Sequence, residues 1–170
     1  MNRRIRNISY LLMVLSLFPI LNGCNQEDDV IEIFTGKTWK LSRLTTENSS
    51  EPFLPNLWNN ETDYNNSIEA LNREGTFTLT FTGTEVNGEI IGTLAEATGI
   101  RATTSGTWHV DGKTRSLTIS ARVNGSETDP LARAFIAAIE NVYKYEGDVN
   151  TLTLYYHEGQ QTRIMGFTPL

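Results

Sequence analysis

The sequence predicts an α+β domain, an antiparallel, barrel-like sheet of about seven or eight short strands with one main helix. Three observations carry this. Apolar and polar residues alternate with period two through most of the chain beyond residue 35. Asp111-Gly112 stands between two alternating runs, as in a β-hairpin. One stretch, from Asp129 to Val142, switches to helical spacing.

In chain order, Lys37-Thr38-Trp39-Lys40-Leu41-Ser42-Arg43 alternates as a strand with one buried face does. The segment 47–62 is polar and Asn-rich but carries Phe53, Leu54, Leu57 and Trp58. A weaker helix is expected over 63–73, with Ile68 and Leu71 inward. Thr76-Phe77-Thr78-Leu79-Thr80-Phe81 alternates strictly and places Phe77, Leu79 and Phe81 on one face. Residues 89–94 form a strand whose facing is ambiguous, because Ile90 and Ile91 are adjacent. The runs 105–110 and 116–123 flank Asp111-Gly112-Lys113. Asp129 is an N-cap residue and Pro130 suits the first helical position. Leu131, Ala134, Phe135, Ala138, Ile139 and Val142 then mark one apolar stripe, so the main helix spans 129–142 and lies against the sheet. Strands at 141–145, 151–156 and 163–167 follow, joined by turns at 147–150 and 157–160.

No catalytic set stands out, and neither a cofactor nor a metal is expected. The two histidines, His109 and His157, have no second His or Cys at ligand spacing. No Gly-x-Ser-x-Gly elbow accompanies them. His109 should point away from Trp108 to solvent, and His157 opens a turn. Asp111 and Asp148 lie in turns, where carboxylates bond the local backbone. Trp39, Phe77, Phe81, Trp108 and Phe135 fall on inward faces and read as core. Phe53 and Trp58 are the candidate ligand-binding residues: they either tuck under their loop or form a stacking platform for a small molecule, glycan or partner. Tyr143 and Tyr155 alternate away from the core.

The chain begins Met1-Asn2-Arg3-Arg4-Ile5-Arg6, continues with an apolar run from Ile8 to Leu21, and reaches Leu21-Asn22-Gly23-Cys24. A basic region, a short apolar stretch and a small residue before the cut describe a signal peptide. The run is shorter than the roughly 20 apolar residues of a membrane-spanning helix and is interrupted by Ser9, Ser16 and Pro19. Ending on Leu-x-Gly-Cys resembles the lipobox of bacterial lipoproteins. That resemblance implies cleavage between Gly23 and Cys24 and acylation of Cys24, the one cysteine of the sequence. Residues 1–23 are then a removed signal peptide, 24–34 an acidic lipidated tether, and 35–170 a single domain. The run Glu27-Asp28-Asp29 resembles the surface-export signal of some Gram-negative lipoproteins, and Asn25 stands where enteric lipoproteins retained in the inner membrane carry aspartate. Both imply the outer membrane, and the acidic run implies its outer leaflet.

Of the 14 basic residues, Arg3, Arg4 and Arg6 precede Cys24, leaving 11 against 20 acidic residues, a balance of −9. Such a charge disfavours nucleic acid as a partner. It also leaves membrane attachment to acyl chains rather than a basic patch.

The order Thr38-Trp39-Lys40-Leu41, Ser105-Gly106-Thr107-Trp108, Leu117-Thr118-Ile119, the helix from Ala134 to Ile139, and Thr151-Leu152-Thr153-Leu154-Tyr155 resembles the META domain of HslJ-type envelope lipoproteins, over roughly residues 36–168. The resemblance implies a loosely lipocalin-like fold and a link to envelope maintenance or stress. It supplies no catalytic chemistry. The expected function is therefore non-catalytic binding or interaction at the envelope, with an unknown envelope protein, a glycan or a small apolar ligand as partner. The alternatives are a lipocalin-like carrier of a small apolar ligand held near Trp58, which needs an open barrel, and a hydrolase, which needs His109 or His157 near a carboxylate and a hydroxyl.

Overall fold

The computed structural model describes residues 26–86 and 89–170. The expected signal peptide, its cleavage position at Gly23 and Cys24, and the acylated Cys24 lie outside the described residues. Eight antiparallel strands close into a barrel in sequence order, with the last pairing the first. They are β1 (Thr38–Thr46), β2 (Thr78–Val86), β3 (Glu89–Thr98), β4 (Thr103–Asp111), β5 (Ser116–Asn124), β6 (Val142–Gly147), β7 (Leu152–Glu158) and β8 (Gln161–Pro169). Among the described residues, three helices accompany them: α1 (Gln26–Phe34), α2 (Glu61–Asn72) and α3 (Pro130–Ile139).

Up-and-down order dictates where the helices sit. α1 enters at the end where β1 begins, whereas α2 and α3 connect strands at the opposite end. Each end of the barrel thus receives its own cover. Closure is uneven: β7 and β8 pair over seven registered positions, but β5 and β6 meet at the single pair Ser116–Lys144. A further backbone bond runs from the Tyr145 N–H to the Arg115 carbonyl.

The interior is packed with side chains. Phe77, Leu79 and Phe81 all face inward, as their alternation requires, together with Trp39, Leu41, Leu44, Trp108, Leu117 and Phe167. Phe77 itself precedes β2 in a left-handed conformation, at φ 50°. The Trp108 indole donates to the Thr82 carbonyl at 3.1 Å, so its polar edge is satisfied inside the wall. At Gly106, a Cβ would lie 1.9 Å from the Ser120 carbonyl oxygen, so β4 and β5 approach there closer than any side chain permits.

The segment expected to be a tether, 24–34, is helical over its described part. Helix α1 occupies most of 24–34, and Val30, Ile33 and Phe34 are buried. Phe34 is fully enclosed, with its ring 4.8 Å from Phe81 and Tyr145 and 5.1 Å from Trp108. The charges of Glu27-Asp28-Asp29 masked this in the sequence; behind them, Val30, Ile33 and Phe34 recur at i, i+3 and i+4 and make one apolar face.

The main helix is shorter than expected, because Val142, the last residue of the expected stripe, opens β6. Asp129 caps α3 by accepting from the Ala132 N–H at 2.9 Å, and Phe135 packs against Phe77 and Phe167. Helix α2 begins earlier than expected, since Asn60 accepts from the Asp63 N–H and donates its amide to the Asp63 carboxylate.

Candidate functional site

The filled interior corrects one expectation. Trp39, Phe77 and Trp108 are at most 3 % exposed, with Phe34 closing one end and Phe135 the other. A carrier that holds an apolar ligand along the barrel axis needs space these rings occupy. Two clefts formed by the described residues lie at the ends instead, one bordered by α2 and α3 and one by Glu32 and Ile33 of α1.

The histidines do not assemble a reactive centre. His109 lies exposed on β4, opposite Trp108. His157 is exposed on β7, and its ring stacks on Tyr143 at 4.2 Å and 3°. Neither imidazole bonds a carboxylate or hydroxyl among the described residues. Also among these residues, no group of three or more His, Cys, Asp and Glu could hold a metal.

Turn carboxylates are used locally. Asp111 accepts from the Lys113 and Thr114 N–H groups, and Asp148 from those of Asn150 and Thr151. These backbone bonds hold both carboxyls below the usual range. Tyr143 points outward and is exposed. Tyr155 also stands on the outer wall, but it is only 9 % exposed, which sequence alternation did not foresee. Lys144 lies over its ring, and its hydroxyl donates to Glu146 at 2.7 Å.

The α2–α3 end gathers the remaining polar chemistry. Phe53 and Trp58 do come together, edge to face at 5.5 Å, and Trp58 meets Tyr64 of α2 at 4.9 Å. Phe53 and Trp58 are half-buried, and Tyr64 is exposed. The Trp58 indole donates to the Ser67 hydroxyl at 2.7 Å, and that hydroxyl donates to Asp129 Oδ2 at 2.6 Å. Ser67 is fully buried, so this chain of bonds fastens the 47–60 segment and α2 to the α3 N-terminus.

Beside this chain lies a cleft of about 300 Å³. Asp63, Asn66 and Arg73 border it from α2 and its C-cap, Ile100 and Arg101 from the β3–β4 turn, and Thr128 to Pro130 from the start of α3. The turn is clamped: the N–H groups of Ile100, Arg101 and Ala102 all donate to Glu127 Oε1, at 2.7–2.8 Å. On the other side, Lys40 Nζ donates to the Arg73 carbonyl at 2.8 Å. Burial of that ammonium lowers its pKa. Sequence reasoning named Asp129 only as a cap and passed over Arg73, Arg101, Ser67 and Glu127. No local spacing links them, because three separate connections bring them to one end of the barrel.

The chain matches, over residues 25–169, the family described as a domain of unknown function, DUF4847. The chain belongs to the DUF4847 family. A DUF4847 family protein from Bacteroides vulgatus, known from its crystal structure, is 26 % identical, with a TM-score of 0.58 over 82 % of this chain and 96 % of that one. No curated protein matches. The residues resembling a META domain, among them Trp39, Trp108 and Leu117, are interior positions of this DUF4847 barrel. A filled lipocalin-like barrel of any family needs large apolar residues there.

Proposed function

We propose that this DUF4847 protein is a lipid-anchored protein of the bacterial outer membrane whose barrel is a binding or interaction module rather than an enzyme. The lipobox-like Leu21-Asn22-Gly23-Cys24 supports the anchor, with acyl chains on Cys24 attaching the acidic domain to the bilayer. The observation that carries the binding reading is the α2–α3 end. There a cleft of about 300 Å³ is bordered by Asp129, which Ser67 links by hydrogen bonds to Trp58 of the partly exposed Phe53, Trp58 and Tyr64 cluster, while large rings pack the barrel interior. An envelope protein, a glycan or another small polar molecule fits such a surface better than an apolar ligand within the barrel. A role in envelope maintenance or stress rests on the META-like resemblance alone.

Mass spectrometry of the protein extracted from membranes tests the anchor. An N-terminus at acylated Cys24 is expected, and an unmodified chain still carrying residues 1–23 would refute it. Cys24→Ser should leave an uncleaved precursor or release the protein from the acylated pool. Protease treatment of intact cells removes the domain if it faces outward and spares it if it faces the periplasm.

A further inference from the structure

The cleft at the α2–α3 end has a definite charge character. Arg73 borders it from the C-cap of α2 and Arg101 from the β3–β4 turn, and neither guanidinium makes an ion pair or side-chain hydrogen bond among the described residues. Arg43 reaches the Ser49 carbonyl and Arg163 pairs with Glu158, whereas Arg115, Arg122 and Arg133 likewise make no such bond among the described residues; Arg73 and Arg101 differ from these three in bordering one cleft. A guanidinium offers five donors in a planar fork that matches the oxygens of phosphate, sulfate or carboxylate.

Both arginines rise from fixed backbone. The Arg73 carbonyl accepts from Lys40 Nζ and from the Thr76 hydroxyl, and its N–H donates to the Ala70 carbonyl. The Arg101 turn is held by Glu127, whose approach requires a glycine alongside. A Cβ on Gly99 would lie 2.3 Å from Glu127 Oε1. Pinning the backbone in advance reduces the ordering cost of binding.

The remaining polar groups narrow the ligand. Asp63 and Asp129 share the cleft, and both carboxylates are committed to caps: Asp63 accepts from the Asn60 amide, Asp129 from the Ala132 N–H and the Ser67 hydroxyl. They keep spare lone pairs that can accept from hydroxyl groups but repel a bare anion. Asn66 and Thr128 add neutral donors and acceptors. An oxyanion that also carries hydroxyls satisfies both halves of this lining; a simple anion satisfies one.

We propose that the cleft binds a small polyhydroxylated oxyanion, with Arg73 and Arg101 gripping the phosphate, sulfate or carboxylate and Asp63, Asn66, Thr128 and Asp129 meeting the hydroxyls. This rests on the binding-module reading above and names its ligand class. The test is isothermal titration calorimetry of the full chain in mild detergent with glycerol phosphate, glucuronate, inorganic sulfate and neutral glucose. Saturable binding of glycerol phosphate or glucuronate, weakened at least tenfold by Arg73→Gln or Arg101→Gln and unchanged by Arg122→Gln on the exposed wall of β5, is the expected result. Preference for glycerol phosphate identifies a tetrahedral headgroup, and preference for glucuronate a carboxylate; either supports the site. Binding that survives the Arg73→Gln/Arg101→Gln double variant, or no binding of either hydroxylated anion, overturns it. Glucose binding that ignores both substitutions, with no anion bound, also overturns the anion site but leaves the binding-module reading standing.

Discussion

Replacing Phe34 with alanine should destabilise the whole barrel, although the residue precedes β1 in a segment whose sequence begins with acidic charge. Its ring is fully buried and makes close contacts with Phe81, Trp108 and Tyr145. Truncating a buried phenylalanine to alanine costs about 3–5 kcal/mol, a figure that combines lost transfer energy with the cavity left behind. Aromatic pairs add about 0.5–1.5 kcal/mol beyond area. Collapse around the gap is limited, because Phe81, Trp108 and Tyr145 stand on three hydrogen-bonded strands of a closed sheet. That favours the upper half of the range, about 4 kcal/mol. At about 2–4 °C per kcal/mol for a chain of this size, the melting temperature should fall by roughly 8–16 °C. Thermal and urea unfolding followed by circular dichroism measures this, with Glu32→Ala, exposed on the same helix, as the reference variant expected within about 0.5 kcal/mol. A Phe34→Ala loss below about 1 kcal/mol, or one equal to Glu32→Ala, would refute the assignment of α1 as an integral plug.

Other outcomes follow from single contacts. Ser67→Ala removes the hydroxyl between Trp58 and Asp129; it should cost about 1–3 kcal/mol in urea unfolding and raise proteolytic cleavage within 47–60. Gly106→Ala forces a Cβ onto the Ser120 carbonyl and should reduce stability by several kcal/mol, well beyond the roughly 1 kcal/mol typical of point changes; a neutral result would contradict the close β4–β5 approach. Tyr155 and Tyr156 are both pushed up to about 12, chiefly by burial, from a usual value of 10.0. The folded chain therefore keeps protons that the unfolded chain releases between those values, and stability should fall as pH rises through that window. Ultraviolet titration should show the late tyrosinate component reduced in Tyr155→Phe and in Tyr156→Phe; an unchanged alkaline limb in both would contradict it.

Much of the wall was legible because period two reports which face is buried. Phe77, Leu79 and Phe81 declared one inward row, and Asp111-Gly112 declared the turn between β4 and β5, although Arg115 at φ 57° extends that loop beyond a two-residue hairpin. Asp129-Pro130 announced α3, but an apolar stripe cannot show that its last member, Val142, has already become strand. The α1 plug was hidden because three consecutive acidic residues read as solvated chain, while the apolar face behind them spans little more than one turn. Tyr155 alternated outward correctly and was still covered, since Lys144 and Glu146 arrive from the neighbouring strand. Least legible was the cleft. Arg73, Arg101 and Asp129 are polar residues in turns and caps, ordinary one by one, and only the barrel's up-and-down order makes them neighbours.

The position of α1 bears on how the molecule would stand on a bilayer. Only Asn25 separates Cys24 from the first residue of α1, and nine helical residues rise about 13 Å. If Cys24 carries acyl chains as proposed, the plugged mouth is leashed within about one short helix of the headgroups and has little freedom to swing. The opposite mouth, with Arg73 and Arg101 at its rim, then faces the aqueous side by default. One buried phenylalanine would thereby fix not just stability but compass bearing, presenting the cleft to solutes rather than to lipid.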